Sequence, residues 1–193
     1  MRVRGRVLRR GLFLLRLDAS LSWVIVPKTS PPKRLHIRRL RREEIPALAA
    51  AIGEISEAQI VNRWREQEMG YRELLVAEQD GELAGTVSIG EGESTLHLFA
   101  LEVAPALRRR GIGSAIVRHV IDVAWRRGLT RVYLEVRVDN PARRLYHRLG
   151  FRRVGPEFSN AWWRYLDDGT QERVEEPSIR MVKRVKYPPQ RRR

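Results

Sequence analysis

The sequence predicts a mixed α/β (α+β) domain: a central, mostly antiparallel sheet of six to seven strands with about four helices. Three observations carry that prediction. Apolar residues alternate over short runs, as in Val132, Leu134, Val136 and Val138, which is the period of a half-buried strand. Elsewhere they recur at helical spacing, as in Ile116, Val117, Val120, Ile121 and Ala124. Glycines and prolines stand between the runs and mark their ends.

Leu35 and Ile37 begin the first strand. Glu43 and Glu44 open a helix with Ile45, Leu48, Ala49 and Ile52 on one face, and Gly53 ends it. A second helix spans Ser56 to Met69, with Ile60, Val61 and Trp64 at helical spacing, and Gly70 closes it. Leu74–Ala77 and Leu83–Ile89 form a hairpin through Gln79, Asp80 and Gly81, because Asp-Gly favours a tight turn. Thr95 to Val103 is the next strand. A third helix follows Gly113 and stops at Gly128. After the strand through Val132 to Val138, Asn140 and Pro141 open a fourth helix as N-cap and first-turn proline. Leu145 and Leu149 face inward, and Gly150 ends it. Phe151 to Val154 begins a strand, and Ser178 to Val185 is the last one. Residues 156–177 read either as loop or as strand extension. The order is β-α-α-β-β-β-α-β-α-β-β.

Residues 1–33 stand apart as a basic N-terminal extension that ends in a proline-rich linker from Pro27 to Pro32. They are expected to be disordered, with at most a short strand at Leu21–Val26. The domain proper is expected over 34–187, followed by a basic tail over 188–193. The apolar run Gly11 to Leu15 follows five arginines like the start of a signal peptide, but Arg16 and Asp18 interrupt it. No apolar stretch reaches the roughly 18 residues a membrane helix needs. A cytoplasmic protein without membrane partners is expected.

The chain of 193 residues carries 38 basic and 23 acidic side chains, a net charge of +15. Such a balance can mark a polyanion-binding protein. All but four of the basic residues are arginine, however, and no RNA- or DNA-binding signature accompanies them. Nucleic acid is therefore not the expected partner. There is no cysteine, which excludes a disulfide scaffold, a thiolate-held metal and a cysteine nucleophile. His36, His97, His119 and His147 show no metal-ligand spacing, so no metal is expected.

The stretch Val103-Ala104-Pro105-Ala106-Leu107-Arg108-Arg109-Arg110-Gly111-Ile112-Gly113-Ser114 carries the chemistry. A strand ends, the chain turns, and a helix begins beside two glycines and three arginines. A helix N-terminus offers free N–H groups and the positive end of the dipole. Glycine lets the backbone approach a ligand closely. The expected ligand is a pyrophosphate. A Walker loop is excluded because its lysine is missing. The dinucleotide fingerprint is excluded because Ile116 stands where it needs a small residue.

Arg108-x-x-Gly111-x-Gly113, between a strand and a helix, resembles the acetyl-CoA signature of the GNAT acetyltransferases. So does Leu101-x-Val103-x-Pro105 before it. Asn140-Pro141-Ala142-Arg143-Arg144-Leu145-Tyr146, running on to Gly150-Phe151, is similar to a later segment of that family. The Asn-to-Ala spacing is one residue shorter than in many members. The resemblance covers about residues 35–187 and implies a GNAT-type sheet splayed at the cofactor site. It implies acetyl-CoA as co-substrate, with Val103, Ala104 and Pro105 beside the pantetheine arm and Arg108 to Ser114 around the pyrophosphate. It implies that Asn140 contacts the cofactor and that Tyr146 returns a proton to the leaving thiolate.

The resemblance further implies acetyl transfer to a primary amine, on a protein or a small molecule, in a ternary complex; a homodimer is compatible with it. For the general base the sequence offers Glu135, His97 and Glu102. In the protein N-terminal acetyltransferases that the segment resembles, a glutamate in the Glu135 strand serves as base. An ion pair with a nearby arginine is an equally open reading of Glu135. His97 and Glu102 are five apart, so they face the same way only if a bulge intervenes. The first two helices and residues 156–177 are expected to shape the acceptor pocket, with Trp64, Trp162, Trp163 and Tyr165 as lining candidates. A non-catalytic acetyl-CoA-binding module and a basic nucleic-acid-binding protein are the alternatives.

Overall fold

The computed structural model describes residues 35–185, so the N-terminal extension, its Leu21–Val26 segment and the C-terminal tail lie outside the described residues. Seven strands form one sheet in the order β1-β2-β3-β4-β5-β7-β6. The strands are β1 Leu35–Arg39, β2 Glu73–Gln79, β3 Glu82–Glu91, β4 Thr95–Val103, β5 Arg131–Arg137, β6 Arg152–Tyr165 and β7 Gln171–Arg184. The helices are α1 Ile45–Ile52, α2 Glu57–Glu68, α3 Ile112–Arg126 and α4 Arg143–Arg148. Element order and helix count are those the sequence predicts. Every strand pair is antiparallel except β4 with β5.

Most of the punctuation works as read; α4 is the exception, since its N-cap is Ala142 and Asn140 and Pro141 lie in the turn before it. Gly53 ends α1 at φ 66°, and Gly128 follows α3 at φ 75°. Asp80 and Gly81 turn the β2–β3 hairpin at φ 55° and 86°. Ser56 caps α2 by accepting from the Gln59 N–H at 3.0 Å.

The sheet is covered on both faces. Leu75 and Ala77 of β2 join one core with α3 residues Ile116, Val117 and Val120. Leu74 and Val76, their alternating neighbours, join a second core with Leu48 and Ile52 of α1 and Ile60 of α2. Trp64 packs against this second core. It does not line the pocket that the sequence reading offered it, because its spacing from Ile60 serves packing.

Residues 156–177 resolve as strand extension. β6 and β7 pair from Phe158↔Ser178 out to Tyr165↔Gln171, forming a long hairpin arm beyond a register break between Val154 and Phe158. Among the described residues no helix is long and apolar enough to cross a membrane.

Candidate active site

Two departures from regular strand geometry create the site. β4 and β5 pair only at Thr95↔Arg131, Leu96↔Val132 and His97↔Tyr133, and beyond that point the strands splay apart. The backbone of β4 past His97 is left without a partner strand on its β5 side. β4 also carries a bulge: Ser88↔Phe99 is followed by Thr86↔Glu102, so Ala100 and Leu101 oppose Val87 alone. Ala100 takes φ 50° there. Before the bulge His97 and Phe99 face α2; after it Glu102 does. This is the bulge on which a shared orientation of His97 and Glu102 depends.

A cleft of about 560 Å³ opens at the splay. His97, Glu102, Glu135, Asn140 and Tyr146 all line it, so the structure brings together every candidate for proton transfer. α2 supplies Gln59, Asn62, Arg63 and Glu66, and the β6–β7 arm supplies Asn160, Trp162, Trp163, Tyr165 and Glu176. The arm tip is fastened to the start of α2. Tyr165 N–H donates to Gln59 Oε1 at 2.9 Å, Ala58 N–H donates to Asp167 Oδ1 at 3.1 Å, and the Ser56 hydroxyl donates to the Tyr165 carbonyl. α2 and the arm together therefore wall the side of the cleft opposite the sheet.

Tyr146 belongs to the core on the α3 side and reaches the cleft through the gap between β4 and β5. Its ring meets Phe151 edge-on at 5.9 Å. Burial, with a smaller contribution from the Glu102 charge, pushes its phenol up to about 12. The phenol is thus fully protonated near neutral pH.

Glu102 is held by Arg63, whose Nη1 and Nη2 donate to its two oxygens at 3.1 and 3.0 Å. Burial pushes the carboxyl up from its ordinary value, and Arg63 opposes that shift. Arg63 is itself buried, on the same helical face as Ile60. Sequence reasoning missed it, although a charged residue one turn from a core isoleucine is the signal that finds such a partner.

Glu135 points away from the core with Tyr133 and Arg137, as alternation requires. Arg180 donates to it from Nη2 at 2.7 Å and from Nε at 3.2 Å, and both bonds fall on Oε1. His97 stacks in parallel on Tyr133, with centroids 4.4 Å apart. Burial lowers its imidazole to about 4; the Glu135 charge works against this, while Arg180 and Arg72 reinforce it. His97 is therefore neutral near neutral pH.

The loop over Arg108 to Ser114 lies at the end of β4. Arg109 at φ 61° and Gly111 at φ 86° curl the backbone before α3. Among the described residues the N–H groups from Arg109 to Ser114 find no backbone carbonyl partner. Such a concave run of N–H groups at a helix N-terminus fits a phosphate anion. A Cβ on Gly113 would lie 3.4 Å from Leu145 Cδ1 and 3.7 Å from Val103 Cγ2, so α3 approaches α4 and β4 closely there. Arg108 turns back from this loop: its Nε donates to the Val103 carbonyl at 3.0 Å, and its guanidinium pairs with Glu54. Ala104 N–H is bonded to the Ala84 carbonyl at 3.0 Å. Asn140 Oδ1 accepts from Ala142 N–H at 2.8 Å, which starts α4 and leaves the amide nitrogen available. Among the described residues there is no cluster suited to hold a metal ion.

The comparisons agree with this geometry. Streptothricin acetyltransferase from Streptomyces lavendulae is 39% identical over 87 residues, 44% of this chain and 46% of that protein. The chain spans about half the length of the curated relatives it matches. The crystal structure of the ribosomal-protein-S18-alanine N-acetyltransferase from Escherichia coli superposes with a TM-score of 0.62 at 23% identity, covering 83% of this chain and 99% of that one. Spermidine N-acetyltransferase from Vibrio cholerae, in complex with CoA and spermine, superposes with a TM-score of 0.61 at 18% identity, covering 78% and 95%. The family model for the Acetyltransferase (GNAT) family matches residues 37–151, more than half of the sequence, and the chain belongs to that family.

Proposed function

We propose that the chain transfers an acetyl group from acetyl-CoA directly to a primary amine, within a ternary complex. The observation that carries this reading is the splay of β4 from β5. It joins a loop suited to phosphate with a cleft in which a protonated phenol and two carboxylates converge. Acetyl-CoA, when bound, supplies the activated acetyl group. The free N–H groups of Arg109 to Ser114 would hold its pyrophosphate, with Arg109 and Arg110 adding charge. The β4 backbone between His97 and Val103, which has no partner strand on its β5 side, and the Asn140 amide nitrogen would hold its amide-bearing arm.

Tyr146 holds a proton at its hydroxyl and is equipped to give it to a leaving group. Glu135 is the better-placed base of the two carboxylates. Its bonds to Arg180 use Oε1 alone, whereas Glu102 commits both oxygens to Arg63. A backbone N–H of the β4 bulge is suited to stabilise a developing oxyanion. With no cysteine in the chain, direct attack by the amine needs no thiol intermediate.

The substrates named for similar proteins, an antibiotic, a ribosomal protein and a polyamine, share an amine, and they support that class rather than one acceptor. Nucleic-acid binding finds no support. Between residues 35 and 185 the chain holds 25 basic and 22 acidic side chains, so most of its excess charge lies outside the described domain. Calorimetry with acetyl-CoA, followed by an acetylation screen against peptides, polyamines, aminoglycosides and amino acids, tests the proposal. Binding without turnover on any amine would leave a non-catalytic acetyl-CoA module.

A further inference from the structure

Outward from Ser178 the arm of β6 and β7 leaves the sheet. The ladder between β5 and β7 ends at Arg137↔Ser178, so the two strands of the outer arm pair only with each other. No residue from 155 to 177 belongs to either hydrophobic core. Among the described residues, the hydrogen bonds that tie the outer arm to the rest of the domain all fall on the start of α2. One long ion pair, Arg137 with Glu176 at 4.0 Å, lies near its base.

The base is suited to bend. The β6–β7 ladder breaks after Val154↔Arg180 and resumes only at Phe158↔Ser178. Gly155 stands in this break at φ 77°. Pro156 beside it, and Pro177 on the facing strand, have no N–H to contribute to a ladder. The tip is held by helix-capping bonds instead of packing. The N–H groups in the first turn of a helix have no partner within it. Asp167 Oδ1 takes up the one on Ala58 from far along the chain. Gln59 Oε1 and the Ser56 hydroxyl take both backbone polar groups of Tyr165. Water can replace such bonds at a small net cost, and no core packing goes with them. Segments held in this way open well below the free energy of global unfolding.

We propose that the arm is a hinged gate on the acceptor side of the cleft, bending at residues 155–157 and Pro177 and latched on α2 by Gln59 and Asp167. This inference rests on the reading of the cleft as an amine-acceptor site. Closed, the arm sets Asn160, Trp162, Tyr165 and Glu176 against the cleft. Open, it withdraws all four and leaves the face of the sheet that carries Glu135 uncovered. The latch thereby sets the width of acceptor that enters: a slim amine passes beside the closed arm, and a wide one needs it open. Gln59 and Asp167 are positioning residues, acting through the placement of the arm.

Amide hydrogen exchange reads the hinge without any turnover. The Tyr165 N–H should exchange well ahead of the amides of β4 and β5. Asp167→Ala removes a bond that Tyr165 does not make, yet should speed Tyr165 exchange by roughly 2- to 10-fold, with the amides of α2 beyond its first turn unchanged. Asp167→Asn keeps the accepting oxygen and should restore the wild-type rate. Because the chain has no cysteine, Ala58→Cys and Asp167→Cys can be joined by a short thiol crosslinker. At saturating acetyl-CoA, the crosslink should lower kcat/KM for diphenylethylamine by about 10-fold or more against the same variant left open, and change that for hexylamine by less than about 2-fold. Asp167→Ala should move the ratio of the two amines the other way. If the cysteine pair fails to fold by circular dichroism, the Asp167→Ala ratio decides. Tyr165 exchange as slow as that of the central strands, or untouched by Asp167→Ala, overturns the hinge. A crosslink that affects both amines equally, or a ratio unmoved in Asp167→Ala, overturns the gate. Absence of turnover on every amine, with exchange as expected, instead refutes the acetyl-transfer reading and leaves the hinged arm standing.

Discussion

His97 and Glu102 stand five residues apart on β4 yet line the same cleft, because Ala100 at φ 50° absorbs one residue of register. Alanine tolerates the left-handed region at modest cost, but a β-branched side chain does not. Ala100→Val should therefore destabilise the fold by about 1–3 kcal/mol and depress kcat/KM, since relaxing the bulge would turn Glu102 away from α2. Ala100→Gly, which suits the conformation, should unfold at or above the wild-type temperature. Thermal denaturation of both variants checks the pair. A Val variant of wild-type stability would show that the bulge does not depend on this residue.

Gly113 packs where α3 comes closest to α4 and β4. A Cβ there meets Leu145 and Val103 at contact distance, so Gly113→Ala should fold with little loss. A leucine must push into the space between the two helices. Gly113→Leu should raise the dissociation constant for acetyl-CoA by more than about 10-fold, measured by calorimetry. Unchanged affinity in a folded variant would remove this loop from the cofactor site.

How far these elements were legible depends on whether a buried face constrains them. α3 and β5 each carry one apolar face, and their periodicity gave their limits to within a residue or two. The arm formed by β6 and β7 carries none over most of its length. Residues Arg152 to Glu157 are exposed throughout, and beyond them half-buried Phe158, Asn160 and Trp162 alternate with exposed Ser159, Ala161 and Trp163, so polar and apolar residues stand on both faces. Gly155 and Pro156 add breaker signals inside the strand, so nothing in the sequence distinguishes extension from loop. The turn from Arg108 to Ser114 into α3 was legible because glycines are read locally. The Arg63–Glu102 pair was not, because its partners are 39 residues apart and meet only once α2 is laid across the sheet. The fastening of Asp167 and Tyr165 to α2 is hidden for the same reason.

Tyr146 is buried, keeps its proton, and reaches the cleft from the far side of the sheet. Loss of one hydroxyl from a general acid lowers turnover by roughly 10²–10⁴-fold in many enzymes. A leaving group that tolerates aqueous release would soften that effect, so Tyr146→Phe should lower kcat by roughly 10- to 1,000-fold. Acetyl-CoA affinity should change little, as should stability, because among the described residues the hydroxyl has no hydrogen bond to lose. A wild-type kcat would remove Tyr146 from the chemistry.

Arg63 opposes the upward shift that burial imposes on the Glu102 carboxyl. Without it Glu102 should move further above its ordinary value. A carboxyl whose pKa is higher in the folded than in the unfolded state binds its proton more tightly when folded. Its contribution is then present at low pH and is lost as pH rises through the folded value. Arg63→Gln should cost about 3–5 kcal/mol near neutral pH, in the range for breaking a buried pair, and recover part of that loss at mildly acidic pH. Urea denaturation at the two pH values measures this. A loss independent of pH would mean that Glu102 stays charged by drawing water into the cleft.

Glu135 presents the sharpest choice between a chemical and a structural role. Its Oε1 is tied to Arg180, and the pair sits at the edge of the cleft with the arginine largely exposed. If the carboxylate serves only that pair, Glu135→Gln and Arg180→Gln remove the same weak interaction and should behave alike, within about 1 kcal/mol in stability and with parallel pH–rate profiles. If Glu135 accepts the amine proton, the two variants part. An amine acceptor is mostly protonated well below its own pKa, so a base matters most at low pH. Glu135→Gln should then lower kcat/KM most steeply at the acid end, with raised pH partly restoring the rate as free amine accumulates. Arg180→Gln should keep the wild-type slope, because the carboxylate remains and gains a free oxygen. Pre-steady-state acetylation across the pH range, with each variant saturated in acetyl-CoA, separates these outcomes. Matching profiles for the two variants would return Glu135 to the surface and leave proton removal to a water chain ending on backbone carbonyls of the β4 bulge.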